Sequence, residues 1–429
     1  MPASSYSTDF NKVLDTGRPP NIKKLFPNSK ALIVSGKYID KGMLAKGKCM
    51  TIAANGRSSF VIKGALLAAQ KANAAIIIEI ARSEGGRAAY CPTSLWNIAR
   101  QTDAYMNEFG ITIPVAVHAD HFGIKTEADI EPAKIEIPTL FDAGITSIAV
   151  DASHLPDDKN LLANLELNPF IPKWAGLETE VGEIKGKLGL STAEEALFLI
   201  QGLNAHGIFP DWIALNNGTT HGIEESDAGI NVELTAEIHE ALSKYKLSGA
   251  QHGTSGNSSE RLLNIANKTK TTKANVATAL QMISWGVKVN DYGNAILDKD
   301  KNFSKVDDLG VSEELWQEML AHANANNIKG GNFKKLNLPF ENRLNAQPQE
   351  FKDRMIKGVE DFVYNMLVNV FNAEDTADIV KEQILKTGSY DAGSKAETIE
   401  NPEDWTKKQI IAKASNITSD KGPEGNFDD

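Results

Sequence analysis

Short apolar runs that alternate with longer amphipathic stretches predict an α/β fold for this chain of 429 residues. Eight such runs are present, and parallel strands joined by helices produce this alternation. Hydrophobic residues make up 41% of the sequence, which is enough to bury a large core. Together these observations predict a closed (β/α)8 barrel, a fold that can accommodate a chain of this length as one unit.

The eight predicted strands are short and rich in β-branched or small apolar residues. They cover residues 50–54, 75–80, 113–117, 147–150, 176–181, 212–215, 247–251 and 287–290. Because longer helical patterns lie between them, the strands are predicted to run parallel.

Amphipathic periodicity and capping residues predict the helices. They cover 60–73, 92–107, 127–143, 192–205, 231–245 and 258–266, and a closing helix covers 348–371. Residues 298–345, rich in Asn, Lys and Gly, are predicted to be an insertion before that last helix. We predict an N-terminal extension over 1–30, a barrel over 31–375 and a partly mobile C-terminal extension over 376–429, in which Trp405 and Ile410 could dock a short helix.

Overall charge and cysteine content exclude several classes of protein. A net charge of -11 and a pI near 5.4 argue against binding to nucleic acid or to a membrane, although a local basic pocket could hold one phosphate. Cys49 and Cys91 form no CxxC pair, so any metal site must use histidine and carboxylate ligands. The polar N-terminal segment lacks the apolar core of a signal peptide, and a cytoplasmic location is expected.

Polar side chains gather where the predicted strands end. In a parallel barrel these carboxyl ends meet at one face, where the active sites of this fold lie. The residues at or just after the strand ends are Asn55, Glu79, His118, Asp120, His121, Asp151, His154, Glu178, Glu180, His221, His252 and Asn290. If the chain stays extended there, His118 and Asp120 point to the opposite side from His121, because side chains alternate along a strand.

Three of these histidines suit a catalytic metal. His121, His221 and His252 come from different strands and could supply three imidazole nitrogens, leaving a coordination position open for substrate. This is the arrangement that catalytic zinc requires. The alternative is a polar barrel rim without metal.

Glycine-rich turns follow two of the histidines. Gly222 comes directly after His221, and HGTSG places Gly253 and Ser255 next to His252. Glycine leaves backbone N–H groups accessible to an anion, and the loops after strands seven and eight are the usual phosphate position in barrel enzymes. The sequence therefore predicts a phosphate site here; the alternative is a turn that binds nothing.

Five motifs, in order along residues 48–294, resemble those of the class II fructose-bisphosphate aldolases. VHADH resembles the family's HxDH segment, SIAVDASH its SVMIDGSH-type segment, LETEVG its ExELG, GTTHG its GxxHG and QHGTSG its FHGGSG. The resemblance implies a metal-dependent lyase that converts fructose 1,6-bisphosphate reversibly to dihydroxyacetone phosphate and glyceraldehyde 3-phosphate. It also implies a homodimer or higher homo-oligomer.

The resemblance further implies a metal set and a proton-transfer group. His121, His221 and His252 would hold Zn²⁺, and Glu180 would mark an alternative or second metal position, for a second divalent or a monovalent cation. Zinc would stabilise the enediolate left when the C3–C4 bond breaks. Asp120 would exchange the proton of the C4 hydroxyl, the alternative being a carboxylate that orients a metal-binding histidine.

Two asparagines are predicted on the substrate side. Asn290 matches the asparagine of the family's KxN segment and would hydrogen-bond the substrate, the alternative being a strand-end cap. Asn55 is the polar side chain that strand one offers at the same face.

Three family motifs are replaced in this chain. EIKGKLGLSTAEE stands where the family has GGxED, so Glu183 is the candidate for the loop base. HGIEE, with Glu224 and Glu225, stands in place of HGxYK, and DYGNA replaces the usual phosphate rim. These changes make the predicted phosphate environment more acidic and indicate a divergent member. The alternatives are an aldolase for tagatose 1,6-bisphosphate or another ketose 1-phosphate, a metal-dependent hydrolase, and an inactive metal-binding relative.

Overall fold

The computed structural model describes residues 6–87, 89–182, 189–218, 229–254, 257–290, 295–298 and 303–417. These residues contain a closed barrel of eight parallel strands that follow one another in chain order. The strands are β1 Thr51–Asn55, β2 Ile76–Ala81, β3 Val115–Gly123, β4 Ser147–Asp151, β5 Gly176–Val181, β6 Trp212–Leu215, β7 Ser248–Gln251 and β8 Thr271–Val276. The predicted fold class is confirmed. Among the described helices, none combines the length and the apolar character needed to span a bilayer.

Helices surround the barrel and extend it at both ends of the chain. Within the described residues the α-helices are α1 Tyr6–Gly17, α2 Pro20–Leu25, α3 Gly36–Lys46, α4 Ser59–Lys71, α5 Arg82–Gly85, α6 Ile98–Phe109, α7 Ile130–Asp142, α8 Asp157–Leu167, α9 Ala193–Ala205, α10 Val232–Ala241, α11 Ser259–Lys268, α12 Thr278–Ser284, α13 Glu313–Ala325, α14 Asn337–Asn345, α15 Gln349–Asn365, α16 Thr376–Thr387 and α17 Lys407–Ala414. The closing helix α15 packs closely on α4. A Cβ atom at Gly64 would lie 2.6 Å from Val359 Cβ, so this contact requires glycine.

The first seven predicted strands are confirmed, and the eighth is wrong. Residues 287–290 form only isolated antiparallel bridges, in which Val287 pairs with Lys305 and Val289 with Ala295. The true β8 pairs with β7 and β1 and closes the barrel. Its sequence, TTKANV, lacks the apolar run expected of a buried strand, because four of its six buried side chains are polar: Thr271, Thr272, Lys273 and Asn275.

The rim insertion, residues 303–347, is more ordered than its polar composition indicates. It contains α13, a 3-10 segment over Gly330–Leu336 and α14. Trp285 and Trp316 pack against Phe333, with ring centroids 5.9 and 5.8 Å away, and form a second small core. This core fixes the insertion beside the carboxyl end of the barrel.

The amino-terminal mouth of the barrel is closed by α3 and by residues 389–400, here called the C-terminal strap. α3 contacts strands on several sides of the barrel. Its Asp40 forms a buried ion pair with Lys395 of the strap. The Lys395 ammonium also donates to Asp211 O and to Ser248 Oγ, each at 3.0 Å, and both acceptors lie where strands begin. The strap thus places one charged side chain at the centre of this mouth.

The chain after the strap docks a short helix, as predicted. Trp405 and Ile410 are buried in a core that they share with Phe198 of α9. Asn204 Oδ1 accepts hydrogen bonds from the backbone N–H groups of Ile399 and Glu400 and so ties the strap to α9. Residues 418–429 lie outside the described part of the chain.

Asp211 is expected to make the stability of the fold depend on pH. Burial raises the pKa of its carboxyl group from 3.8 to about 6, although Lys37 and Lys395 oppose the shift. A carboxyl group whose pKa is raised in the folded state stabilises the fold at low pH, and this contribution is lost as the pH rises through the folded-state value. Relative to Asp211→Asn, the unfolding free energy of the wild type should fall by about 2 kcal/mol between about pH 4 and pH 7. Urea titrations at both pH values measure the difference, and a pH-independent difference would contradict the prediction.

Candidate active site

β3 brings two predicted site residues to the same face of the barrel. Its pairing with β4 shifts register between Ala119 and Phe122, and His121 has a left-handed backbone conformation with φ of 40°. A bulge of this kind interrupts the alternation of side chains. Asp120 and His121 therefore both line the pocket at the carboxyl end, whereas an extended segment would have directed them to opposite sides. Positive φ in a residue other than glycine is strained, and such strain concentrates at functional sites.

His121, Glu180 and His252 converge at this face from β3, β5 and the end of β7. His121 Nδ1 lies 3.2 Å from Glu180 Oε1 and 3.5 Å from Asp151 Oδ2. His252 Nδ1 lies 3.7 Å from Glu180 Oε2, and the two imidazole centroids are 4.3 Å apart. Asp120, His121 and His252 each offer a ligand atom within 4.8 Å of the others, and two further groups of this kind include Glu180. Residues predicted from separate strands thus form one cluster.

The charges of the cluster fit a bound cation. Glu180 Oε1 is buried and accepts no hydrogen bond from the described residues. Burial and the neighbouring Asp151 carboxylate raise the pKa of Glu180, which shows how unfavourable a further negative charge is here. Burial also disfavours an imidazolium at His121, but Glu180 and Asp120 outweigh it and raise the pKa of His121 well above its usual value. Two imidazoles and a carboxylate that together favour a positive charge are a suitable ligand set for a divalent metal.

Asp120 is held in place by two residues of β8. Asn275 Nδ2 donates to Asp120 Oδ1 at 2.9 Å, and the Lys273 ammonium lies 3.5 Å from the same oxygen. Asp120 Oδ2 instead lies 3.9 Å from His121 Nε2. Burial opposes ionisation of Asp120, but His121 and Lys273 outweigh it and hold the pKa of this carboxyl group below its usual range. Asp120 is therefore a carboxylate with one oxygen fixed by β8 and the other near the histidine cluster.

Lys273 and Asn275 were not among the site residues predicted from the sequence. A K-x-N pattern could have indicated both residues. It occurs as KAN at 273–275 and a second time as KVN at 288–290. Asn275 lies near the end of the true β8 and lines the pocket. The structure does not bring Asn290 to this pocket, because Asn290 follows the bridged residue Val289 beyond α12.

A pocket of about 280 Å³ opens beside the cluster. Asn55 and Gly253, both predicted on the substrate side, contribute to its wall. The rim insertion contributes Lys334, whose position is set by a hydrogen bond from Gln281 Nε2 to its carbonyl oxygen at 2.8 Å. No sequence pattern indicated this contact, because the insertion reaches the pocket through its own small core.

Two further charged residues line the pocket as a pair. Arg57 and Glu84 form a buried ion pair, and the Glu84 carboxylate also accepts a hydrogen bond from Asn55 Nδ2. Arg57 Nη1 donates in addition to Thr278 Oγ1 at 2.9 Å. Most of the donor capacity of the guanidinium is therefore used inside the protein, and its charge is balanced by Glu84.

Several residues from the sequence analysis lie elsewhere or outside the described residues. His118 is buried beneath the rim, where its Nδ1 lies 2.8 Å from Ser147 Oγ, and His154 is half-buried in the turn after β4. The residues outside the described part of the chain are Glu183, His221, Gly222, Glu224, Glu225 and Ser255. Their predicted roles stay predictions.

Several known proteins are similar in sequence to this chain. The sequence model of the family described as fructose-bisphosphate aldolase class-II matches residues 43–328. The fructose-bisphosphate aldolase of Streptococcus pneumoniae serotype 4 is 30% identical over 197 residues, covering 44% of this chain and 61% of that protein. The fructose-bisphosphate aldolase of Staphylococcus aureus strain Mu50 is 33% identical over 123 residues, covering 28% of this chain and 38% of that protein. The chain thus matches less than two thirds of the length of these relatives.

Solved structures share the fold. The YdjI aldolase from Escherichia coli K12 aligns with a TM-score of 0.54 at 16% identity, covering 80% of this chain and 99% of that chain. Fructose-bisphosphate aldolase from Campylobacter jejuni aligns with a TM-score of 0.51 at 18% identity, covering 80% of this chain and 97% of that chain. The match to the family model includes all eight strands and the site residues from Asn55 to Asn275. This chain therefore belongs to the class II fructose-bisphosphate aldolase family.

Proposed function

We propose that the chain catalyses the reversible aldol cleavage of fructose 1,6-bisphosphate to dihydroxyacetone phosphate and glyceraldehyde 3-phosphate, with zinc as its metal. The observation that carries the proposal is the cluster of His121, Glu180 and His252 beside an ionised Asp120, in a member of this family. His221 is the proposed third histidine ligand. A cytoplasmic location and a homo-oligomeric assembly belong to the same proposal.

A bound metal and the side chains of the protein would contribute different parts of the reaction. A divalent metal at the cluster supplies Lewis-acid stabilisation of the negative charge that develops on the ketose oxygens when the C3–C4 bond breaks. Asp120 accepts the proton of the C4 hydroxyl, the electron pair of that O–H bond forms the aldehyde, and the electrons of the C3–C4 bond stay with C3. In condensation Asp120 returns the proton to the C4 oxygen. Glu183 is the proposed base for the proton exchanged at C3.

Several groups that line the pocket suit a phosphorylated ketose. Gly253 has φ of 59° and lines the pocket, so its backbone can approach an anion without a side chain in between. Gly222 and Ser255 are proposed to complete this phosphate site. Lys334 supplies an ammonium group to the same pocket, and Asn55 supplies an Oδ1 atom that has no hydrogen-bond partner among the described residues.

An aldolase for tagatose 1,6-bisphosphate or another ketose 1-phosphate is the second candidate. The pairing of Arg57 with Glu84 favours a ketose 1-phosphate over either bisphosphate, because this pairing leaves the Arg57 charge balanced and less available to a second phosphate. Values of kcat/KM for fructose 1,6-bisphosphate, tagatose 1,6-bisphosphate and a ketose 1-phosphate decide between the candidates.

Removal of the metal is expected to stop turnover without unfolding the barrel. The proposed ligands lie at the rim, whereas the strands and helices pack through a large apolar cluster that includes Ile52 and Ile77 and does not depend on the metal. A chelator should abolish release of triose phosphate from fructose 1,6-bisphosphate, and zinc should restore it, while the far-UV circular dichroism stays unchanged. Loss of that signal in the apo protein would contradict the prediction. Release of inorganic phosphate in place of triose phosphate would instead favour the hydrolase alternative.

A further inference from the structure

We propose that Glu178 and Lys273 are positioning residues that fix which nitrogen of His252 faces the metal and that hold Asp120 in place at the same time. The consequence for catalysis rests on the proposed function, whereas the consequence for metal binding does not. Both residues are fully buried, and they lie on β5 and β8. Neither of them reaches the pocket surface.

Glu178 determines where the proton of His252 lies. Glu178 Oε1 is 2.9 Å from His252 Nε2, and a carboxylate can only accept a hydrogen bond. Nε2 therefore carries the proton. In a neutral imidazole the lone pair is then on Nδ1, which is the nitrogen that lies 3.7 Å from Glu180 Oε2. Glu178 thus fixes the tautomer that can bind a metal through Nδ1.

Lys273 in turn fixes the orientation of Glu178. The Lys273 ammonium donates to Glu178 Oε2 at 2.8 Å, so each oxygen of this carboxylate has a different partner. Rotation of the carboxylate would break a charge-assisted hydrogen bond between two fully buried side chains, which is costly. The position of His252 is therefore set by a rigid chain of contacts that begins on β8.

The same ammonium reaches the proposed proton-transfer group. Lys273 Nζ lies 3.5 Å from Asp120 Oδ1 and 3.3 Å from Glu79 Oε2. An ammonium has three N–H donors, and here they face carboxyl groups from β2, β3 and β5. One buried side chain thus orients both the metal ligand His252 and the carboxylate Asp120.

The first test measures metal affinity without substrate on the full chain. Glu178→Gln keeps the size of the side chain and removes its charge. Its apparent affinity for Zn²⁺, measured by competition with a chromophoric chelator, is expected to be about 10–100-fold weaker than that of the wild type. The visible absorption band of the Co²⁺-loaded variant should also shift, because an amide has only one acceptor oxygen and cannot accept from both His252 Nε2–H and the Lys273 ammonium.

Glu79→Gln is the matched control. Glu79 is as buried as Glu178 and faces the same ammonium, but no contact links it to His252. Its zinc affinity is expected to equal that of the wild type. If Lys273 and Glu178 only balance buried charge, Glu178→Gln lowers the melting temperature and leaves the zinc affinity unchanged. Unchanged affinity in Glu178→Gln, or an equal loss in both variants, would overturn the proposal.

A crystal structure of the zinc-loaded wild type keeps the proposal testable if Glu178→Gln does not fold. Zinc bonded to Nδ1 of His252 is the expected result, and zinc bonded to Nε2 would overturn the proposal. If the wild type binds zinc at His252 but releases no triose phosphate, the proposed function fails and the positioning role stands. If the wild type is active and Glu178→Gln binds zinc as tightly as the wild type does, the positioning role fails and the proposed function stands.

The role of Lys273 in holding Asp120 has a kinetic signature. Lys273→Met is expected to lower kcat at saturating zinc by about 100-fold while KM stays within about threefold, because a misoriented Asp120 affects the transition state more than substrate binding. A proportional change in KM with kcat preserved would show that Lys273 does not position Asp120.

Discussion

Replacing Asp120 with Asn is expected to lower kcat for aldol cleavage by about 10³-fold, while the zinc content of the protein stays at the wild-type level. Asn keeps the size of the side chain and an oxygen that can accept the hydrogen bond from Asn275 Nδ2. It cannot take up the proton of the C4 hydroxyl. KM should change little, because a proton-transfer group acts mainly in the transition state. Steady-state kinetics and metal analysis on the same sample measure both quantities.

His252→Ala provides the contrast to the Asp120 variant. Its imidazole belongs to the cluster that is proposed to hold the metal, so its loss should lower zinc occupancy and activity together. Excess zinc in the assay should therefore restore part of the activity of His252→Ala and none of the activity of Asp120→Asn. Equal zinc loss in the two variants would assign Asp120 a ligand role and refute this division.

Replacing Lys395 with Met is expected to lower the unfolding free energy by about 3 kcal/mol. Asp40, its partner across the amino-terminal mouth, is fully buried and would lose its ion pair, keeping the hydrogen bond from Thr272 Oγ1 at 2.6 Å. Removing one member of a buried pair leaves a charge without compensation, which costs more than the pair itself contributes. Urea or thermal unfolding monitored by circular dichroism measures the loss.

Lys357→Met is the matched control for Lys395→Met. Lys357 pairs with Asp361 on the surface of α15, where both side chains are more than half exposed, so its replacement should change stability by less than about 1 kcal/mol. The values of kcat and KM should stay at the wild-type level in both variants, because neither residue is near the pocket. A similar loss of stability in the two variants would show that the buried position of the pair has no special importance.

The sequence predicted those strands of the barrel that consist of apolar residues. β2, with IIIEIA, and β4, with SIAVD, are buried on both faces of the sheet and stand out from the helical segments around them. β8 does not stand out, because Lys273 and Asn275 point into the barrel and reduce its hydrophobicity. The alternating valines at 287 and 289 gave a stronger pattern, but they form only local bridges.

Residues of the candidate site could be predicted from the sequence only where motif residues lie at strand ends. Asp120, His121, Glu180 and His252 were predicted in this way, and the structure places them together. Two features needed three-dimensional information. The bulge in β3 changes which side chains share a face, and the contribution of Lys334 depends on how the rim insertion folds against α12. Neither leaves a periodic pattern in the sequence.

Because the C-terminal strap lies late in the chain, it is one of the last parts of the fold that can form during translation. A ribosome releases β1 to β8 and Asp40 long before Lys395 leaves the exit tunnel, and nascent domains begin to fold as they emerge. Until then the barrel can pair all eight strands and bring His121, Glu180 and His252 together while its amino-terminal mouth still lacks the Lys395 ammonium. A nascent chain that stalls before residue 389 would therefore carry the described cluster residues on a barrel whose amino-terminal mouth is covered by α3 but lacks the strap, with Asp40 still without its ion-pair partner and accessible to chaperones and proteases.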